Sequence, residues 1–189
     1  MHNVKNTDVV VDVDDEACMN LLRLFNEPEG RDYLGGLGVE VDVLDRLGDL
    51  GISSIANLLS AVKTARYFEM DGSKILLTVA TDSTEMYGSR LEEERERLGE
   101  YSELRAAVHH ERHLLGQGID NMLELSYWDR KRMHNLKYFT WVEQQGKDVA
   151  ELDAQWYDDS YWSDIFHSHE EWDRLITEFN ERTGLLAKY

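Results

Sequence analysis

The strongest constraint on the fold lies between Gly51 and Ser89, where an apolar run is bounded by turn-forming and polar residues. The run, Lys74–Ala80, is aliphatic at almost every position and follows the turn signal Asp71-Gly72. An apolar run without alternation is typical of a strand buried on both faces, as in a parallel sheet. The sequence therefore predicts a buried strand here.

Small polar residues surround this predicted strand at two places. The turn Gly51-Ile52-Ser53-Ser54 precedes apolar positions at helical spacing, and Thr81-Asp82-Ser83 follows the run. In open α/β sheets, ligands collect at helix N-termini and beyond the carboxyl ends of strands. One interpretation is therefore a ligand-facing edge, and the alternative is that each polar group simply caps a helix. The residues concerned are Gly51, Ser53, Ser54, Thr81, Asp82 and Ser83.

The N-terminal stretch also contains strand and helix signals. The β-branched run Val9–Val13 predicts a short strand, and Asp14-Asp15-Glu16 suits the N-terminus of a helix. Pro28, the one proline of the chain, predicts that this helix ends near Glu27. The order strand, helix, glycine-rich turns, helix, strand predicts an α/β class for the first half.

The second half has a different pattern. It contains no convincing strand after Ala80, and its periodicity predicts only helices. We therefore predict two parts, an α/β part over residues 1–89 and a helical extension over residues 90–189 that serves as an interface. The predicted helices of the extension are 90–98, 102–115, 127–145 and 170–179.

Composition narrows the functional classes. With 38 acidic and 20 basic residues the net charge is −18, which argues against a nucleic-acid partner because phosphates would be repelled. No apolar run reaches transmembrane length, and the N-terminus lacks an apolar signal region. The single cysteine, Cys18, fits a reducing compartment and a packed thiol rather than a nucleophile. These features predict a soluble, cytoplasmic protein without a membrane partner.

Two further clusters favour structural roles. His109 and His113 would share a helix face, but no third metal ligand stands near them, so surface or interface histidines are the preferred interpretation. The aromatic residues between Trp128 and Trp162 lack the interleaved basic residues of a nucleic-acid platform, which favours helix packing or a subunit interface. The sequence predicts no metal site.

Three segments resemble a known enzyme superfamily when they are taken in order. Val11–Ala17, Gly51–Ala56 and Ile75–Ser89 resemble the C-terminal part of fold-type II pyridoxal phosphate enzymes, the cysteine synthase and threonine synthase superfamily. His134–Gly146 is similar to one branch, the cysteine-synthase-like proteins described as pyridoxal phosphate-dependent protein, subunit beta. The resemblance covers nearly the whole chain. It implies a few parallel strands with flanking helices, followed by the helical extension.

The resemblance also implies a cofactor and a reaction. Pyridoxal 5'-phosphate would be bound to a lysine and would then react with an amino-acid substrate by β-elimination or β-replacement. The polar segment after the last strand would supply the partner of the pyridine nitrogen. Aligning Thr84–Tyr87 with the family's Gly-Glu-Arg-Tyr puts Asp82 at that position and Ser83 next to it. Gly51, Ser53, Ser54 and Thr81 complete the implied cofactor-binding set, although Ile55 stands where the family has glycine.

The family's lysine, its substrate-binding asparagine loop and its phosphate loop have no counterpart in this sequence. Neither Lys63 nor Lys74 suits the lysine's role, so no catalytic residue is assigned. We therefore expect a smaller subunit or C-terminal segment that needs a partner bearing the lysine. The alternative is a non-catalytic structural or regulatory subunit without the cofactor. Both predict an apolar edge that invites association and an oligomer.

Overall fold

The computed structural model describes residues 2–188, which are mostly helical and include one two-stranded sheet. The strands β1 (Val9–Val11) and β2 (Met122–Glu124) are antiparallel. Among the described residues the helices are α1 (Asp15–Asn26), α2 (Pro28–Gly36), α3 (Val41–Arg46), α4 (Ile52–Tyr67), α5 (Gly88–Leu98), α6 (Glu103–His110), α7 (Tyr127–Lys137), α8 (Val149–Tyr157), α9 (Ser160–His167) and α10 (His169–Thr183). Short 3₁₀ turns cover Val4–Asn6, Leu47–Asp49, Thr84–Tyr87 and Leu185–Lys188, and π-helical turns cover Glu111–Leu115 and Tyr138–Gln144.

The chain divides into two compact units. The first, called the α1 unit, is Val11–Leu123. The second, called the terminal unit, combines the residues before Val11 with those from Glu124 onward. Neither boundary falls between residues 89 and 90. The assignment of 1–89 to a cofactor-binding part and 90–189 to an interface stays a prediction.

Helix α1 is the centre of the α1 unit. Its residues Leu21, Leu22 and Leu24 are fully buried, so this helix is covered on most of its circumference. Helices α2, α4 and α6 pack against it, and α4 contributes Ile55 and Leu59 to the shared core. Burial of these aliphatic side chains is the main favourable term for the unit, at about 25 cal/mol for each Å² of apolar surface.

The ends of α1 follow from its sequence. The Asp14 carboxylate accepts a hydrogen bond from the Glu16 backbone N–H at 3.1 Å and caps the helix. At the other end, Glu27 precedes Pro28 and adopts an extended conformation, with φ −77° and ψ 142°. Pro28 then opens α2, where its missing N–H costs no hydrogen bond. The predicted bounds of this helix are confirmed.

The terminal unit has a smaller core of its own. Val4, Leu125, Leu152 and Trp156 are buried in it. Helix α7 begins with a capping box, in which Ser126 and Asp129 satisfy each other's backbone N–H groups. The Lys5 ammonium donates to the Trp156 carbonyl oxygen at 3.2 Å and holds the N-terminal residues against α8.

The buried strand predicted at Lys74–Ala80 is wrong. These residues lack regular secondary structure, and Ile75, Leu77 and Val79 are 83%, 93% and 67% exposed. No other strand of the described residues pairs with them, because the sheet contains only β1 and β2. A β-type sequence forms a strand only where a neighbouring strand completes the hydrogen bonds. We call Lys74–Ala80 the exposed segment.

Other expectations were partly confirmed. The helices expected after Gly51 and over most of 90–189 are present, but α8 and α9 were not predicted. The predicted parallel arrangement is wrong, because the described strands are antiparallel, and β2 lies where no strand was expected. Among residues 2–188, no helix combines the length and apolarity required to span a bilayer.

Candidate functional site

The N-terminus of α4 lies against the polar residues that follow the exposed segment. The Gly51 backbone N–H donates to the Asp82 carbonyl oxygen at 2.9 Å, which fixes the two stretches side by side. The Asn57 side-chain amide donates to the Val79 carbonyl oxygen, also at 2.9 Å, and fixes the end of the exposed segment on the same helix. Residues 22 and 31 positions apart in the sequence thus meet along the first two turns of α4.

The Asp82 carboxylate caps this helix end. Oδ1 accepts from the Ser54 backbone N–H at 3.1 Å and from the Ser54 hydroxyl at 2.8 Å. Oδ2 accepts from the Ser53 backbone N–H at 3.3 Å and from the Tyr87 hydroxyl. The first turn of α4, whose N–H groups have no partner within the helix, is therefore satisfied by a side chain from a distant segment. We call this arrangement the Asp82 cap.

The electrostatics of the cap keep Asp82 ionised. The pKa of Asp82 is lowered to about 2, and the hydrogen bond from Tyr87 is the largest cause. The hydrogen bonds from Ser54 and Ser53 lower this pKa further, whereas partial burial raises it. In return, the Asp82 carboxylate raises the pKa of Tyr87. The positive end of the α4 dipole favours a negative charge at the same place. At neutral pH the cluster therefore holds a permanent anion.

Gly51 is necessary for this geometry. A Cβ atom at this position would lie 2.6 Å from Asp82 Cγ and 2.7 Å from Tyr87 Cε2. Both distances are below those that real Cβ atoms show, so any other residue would push the carboxylate or the ring away. The glycine serves close approach, since its backbone conformation is ordinary, with φ −79°.

The six residues predicted for a ligand-facing edge come together, but not in equal roles. Gly51, Ser53, Ser54 and Asp82 form the cap, and the Thr81 hydroxyl donates to Asp82 Oδ1 at 3.2 Å. The Ser83 hydroxyl differs from the others, because it makes no hydrogen bond with any residue that the structure describes.

Sequence reasoning missed two features of this cluster. It did not assign Tyr87 as a partner of Asp82, because a spacing of five residues follows no helix or strand period. Its alternative interpretation also had a serine as the cap of this helix, whereas α4 begins at Ile52 and the capping side chain comes from Asp82. An aspartate beside two hydroxyl residues was the available signal, but it does not tell which way the carboxylate points.

The histidine pair considered as a metal site lies in a different setting. The rings of His109 and His113 are 6.0 Å apart, and no group of three potential ligands that could hold a metal exists among residues 2–188. The Tyr101 hydroxyl lies 2.9 Å from His109 Nδ1, and Asn20 Nδ2 lies 3.1 Å from His113 Nε2. Both rings thus have hydrogen-bond partners inside the α1 unit.

Acid is expected to destabilise the α1 unit through these histidines. Burial is the main cause that lowers the pKa of His109 and of His113, and the neighbouring positive charges of His113 and Arg112 add to the effect. The unfolded chain, with an ordinary histidine pKa near 6.5, then binds more protons than the folded chain. The contribution of the two histidines to the free energy of unfolding is therefore fully present above pH 6.5. It is lost as the pH falls from 6.5 through the lowered pKa values of the folded state.

Urea unfolding between about pH 7 and pH 5 measures this effect. We expect a falling free energy of unfolding in the wild type and a smaller fall in the double variant His109→Gln/His113→Gln. The variant His167→Gln, at an exposed position of the terminal unit, is the control. A free energy of unfolding that stays constant over this window would contradict the prediction. Asp82 loses its contribution at lower pH, below about 4, and does not interfere.

Cys18 is not a candidate nucleophile. Its thiol is buried in the core, and burial raises its pKa to about 11, with Asp15 and Asp14 adding to the shift. A thiol of this kind remains protonated and unreactive at neutral pH. The prediction of a packed thiol is confirmed.

The aromatic residues of the terminal unit are divided between core and surface. Trp156 is buried, and the His134 ring packs on it with centroids 5.1 Å apart. Trp128 is largely exposed. The proposed interface role of this cluster remains a prediction.

The whole chain was compared with protein-family models, with curated proteins and with solved structures. None of the three comparisons found a match.

Proposed function

We propose that the chain is the C-terminal segment or smaller subunit of a pyridoxal phosphate-dependent lyase or synthase of the cysteine synthase type. A partner bearing the cofactor's lysine would complete it, and the substrate would be an amino acid that undergoes β-elimination or β-replacement. The supporting observation is the exposed segment, Lys74–Ala80, which is apolar on both faces and leads directly into the Asp82 cap. A cytoplasmic location and an oligomeric state belong to the same proposal.

The exposed segment has apolar side chains on both faces, which supports the proposal that a partner covers both of them. Ile75, Leu77 and Val79 would point to one face of an extended chain, and Leu76 would share the opposite face with Thr78 and Ala80, all of them exposed. Strands with apolar residues on both faces occur in the interior of parallel sheets covered by helices. Strands from a partner would therefore cover the segment and bury its aliphatic side chains.

The residues at the end of this segment fit the nitrogen end of the cofactor ring. The ring nitrogen requires one hydrogen-bonding group, and Ser83 offers a hydroxyl that no described residue engages. Asp82 is a weaker candidate for direct contact, since a carboxylate offers about four acceptor sites and five donors of this chain already point to it. We therefore assign the contact with the ring nitrogen to Ser83. Asp82 is assigned the role of positioning Ser83.

The phosphate end of the cofactor does not fit here. Ser83 lines a cavity of about 560 Å³ whose charged residues are Asp45, Asp49 and Glu85. Three carboxylates would repel a phosphate group. The phosphate-binding loop, like the lysine, must therefore come from the partner. When bound, the cofactor supplies the electron sink for the reaction, and this chain orients its ring.

Self-association of the isolated chain tests the role of the exposed segment. We expect the wild type to associate at micromolar concentration because uncovered apolar edges pair with one another. The variant Leu77→Asp should run as a monomer in size-exclusion chromatography with light scattering, with an unchanged unfolding midpoint, since Leu77 is 93% exposed. The control is Val41→Asp, which places the same charge at another exposed apolar position. A monodisperse wild-type monomer would contradict the proposal.

A second candidate is a structural or regulatory subunit without the cofactor. The observation that favours it is the completeness of the Asp82 cap, whose carboxylate is satisfied within the chain. A cap of this kind stabilises α4 whether or not a ligand is present. The cofactor content of the complex purified with its partner separates the two candidates.

A further inference from the structure

A second cavity, of about 320 Å³, lies within the α1 unit near the middle of α4. Its walls come from the residues after β1, from α1 and α4, and from the π-helical turn Glu111–Leu115 with the loop that follows it. The volume is at the lower end of the range for small-molecule sites. The charged residues of the wall are Asp12, Asp14, Lys63, Arg112 and Asp120.

Lys63 is the most unusual member of this wall. Lys63 is 4% exposed. Its ammonium donates to the Asp12 carbonyl oxygen at 2.9 Å. No carboxylate of the described residues forms an ion pair with Lys63 or with Arg112, which lines the same cavity. Buried charges are normally paired, and this chain has almost twice as many acidic as basic residues.

The carboxylates of the wall are also outside any ion pair of the described residues. Asp14 caps α1, and Asp120 accepts from the Asn121 side-chain amide at 3.2 Å. The cavity therefore presents positive and negative groups that do not touch each other. Opposite charges left apart around one cavity can both be paired by a ligand that carries both signs.

The loop that closes the cavity is fixed in place. The Arg66 guanidinium donates to the carbonyl oxygens of Leu115 and Gln117, at 2.5 Å and 2.8 Å. The buried His113 ring, which also lines the cavity, lies 3.1 Å from Asn20 Nδ2 and is fixed by that contact. A site whose walls are set before binding loses less entropy when a ligand enters.

We propose that this cavity binds a small free amino acid as a zwitterion. The carboxylate of the ligand pairs with Lys63 and Arg112, and its ammonium pairs with the aspartates. A simple anion suits the wall less well, because three carboxylates face two cations. The described residues contain no group of three potential metal ligands, so nothing in the cavity favours a metal ion over a zwitterion. The site is independent of the cofactor proposal, since α4 separates Lys63 from Ser54 by about 14 Å.

Isothermal titration of the full chain with glycine, L-serine and L-glutamate tests this site. We expect at least one of the three to bind, and we expect propionate and ethanolamine, which carry one charge each, to bind roughly tenfold more weakly or worse. The variant Lys63→Met should lose binding. Arg112→Gln, at an exposed position, should weaken it roughly tenfold without affecting folding, and Lys147→Met, at an exposed position of the terminal unit, is the matched control.

The outcomes that overturn the proposal are equally definite. Absence of binding by all three amino acids at millimolar concentration shows that the cavity is not a zwitterion site. Equal binding of propionate or inorganic phosphate shows a general anion site instead. Wild-type affinity in Arg112→Gln, or a loss in Lys147→Met that equals the loss in Lys63→Met, would contradict the proposal that Lys63 and Arg112 bind the ligand's carboxylate.

Discussion

Replacing Arg23 with alanine is expected to lower the free energy of unfolding of the α1 unit by about 2–5 kcal/mol, the range for truncating a large buried side chain. Arg23 is fully buried, and its guanidinium donates to Glu27 at 3.3 Å and to the Gly99 carbonyl oxygen at 2.9 Å. It also lies over the Tyr101 ring at 4.9 Å. Removal takes one of two arginine partners from the buried Glu27 carboxylate, which Arg95 still bonds at 2.9 Å, and leaves a void beside α1, which is the larger cost. Urea unfolding of the purified variant measures the loss.

Two variants make this result specific. Arg90→Ala removes an ion pair with Glu93 in which both side chains are more than half exposed, and we expect a change below about 1 kcal/mol. Arg23→Met keeps most of the volume and separates the lost hydrogen bonds from the void. A loss in Arg23→Ala no larger than that in Arg90→Ala would show that the buried guanidinium does not stabilise the unit.

Gly51→Ala is expected to cost about 2–3 kcal/mol, because overpacking at a close contact displaces its neighbours. The added Cβ atom would occupy space held by Asp82 Cγ and Tyr87 Cε2, at 2.6 Å and 2.7 Å. The Asp82 cap would then open, and α4 would lose the acceptor for its first N–H groups. The change is measured as the shift in the free energy of unfolding by urea.

A double-mutant cycle identifies the cause of this loss. Asp82→Ala alone should cost about 1–2 kcal/mol, the usual range for a lost helix cap. Because both changes destroy the same cap, Gly51→Ala/Asp82→Ala should be less destabilised than the sum of the single variants. Gly36→Ala, where no atom lies within 4 Å of the new Cβ, is the control. Additive losses at positions 51 and 82 would contradict the account of the cap.

The helices were predictable where single residues mark their ends. Asp14 and Pro28 delimit α1 because a capping carboxylate and a missing N–H act locally, whatever the rest of the chain does. The exposed segment was not predictable in the same way. Its apolar pattern is that of a buried strand, but burial depends on neighbouring strands, and the described residues contain none that pairs with it.

The candidate site was predictable as a set of residues but not as a geometry. The sequence predicted Ser53, Ser54 and Asp82 at one ligand-facing edge, with Asp82 beyond a strand, and the structure has them in contact at the N-terminus of α4. The direction of the Asp82 carboxylate depends on Tyr87 and on the absence of a Cβ at Gly51, and both are tertiary facts. Sequence alone therefore left open whether Asp82 or Ser83 is free to meet a ligand.

The cofactor content of the native complex tests the central claim most directly. The tagged chain is expressed in its own host, the complex is purified, and visible absorbance reports bound pyridoxal phosphate. We predict a cofactor band in the wild-type complex that shifts in Ser83→Ala while the unfolding midpoint stays unchanged. A complex that contains the partner but no cofactor would contradict the claim and favour a structural subunit. A band unaffected by Ser83→Ala would contradict the assignment of ring contact to Ser83.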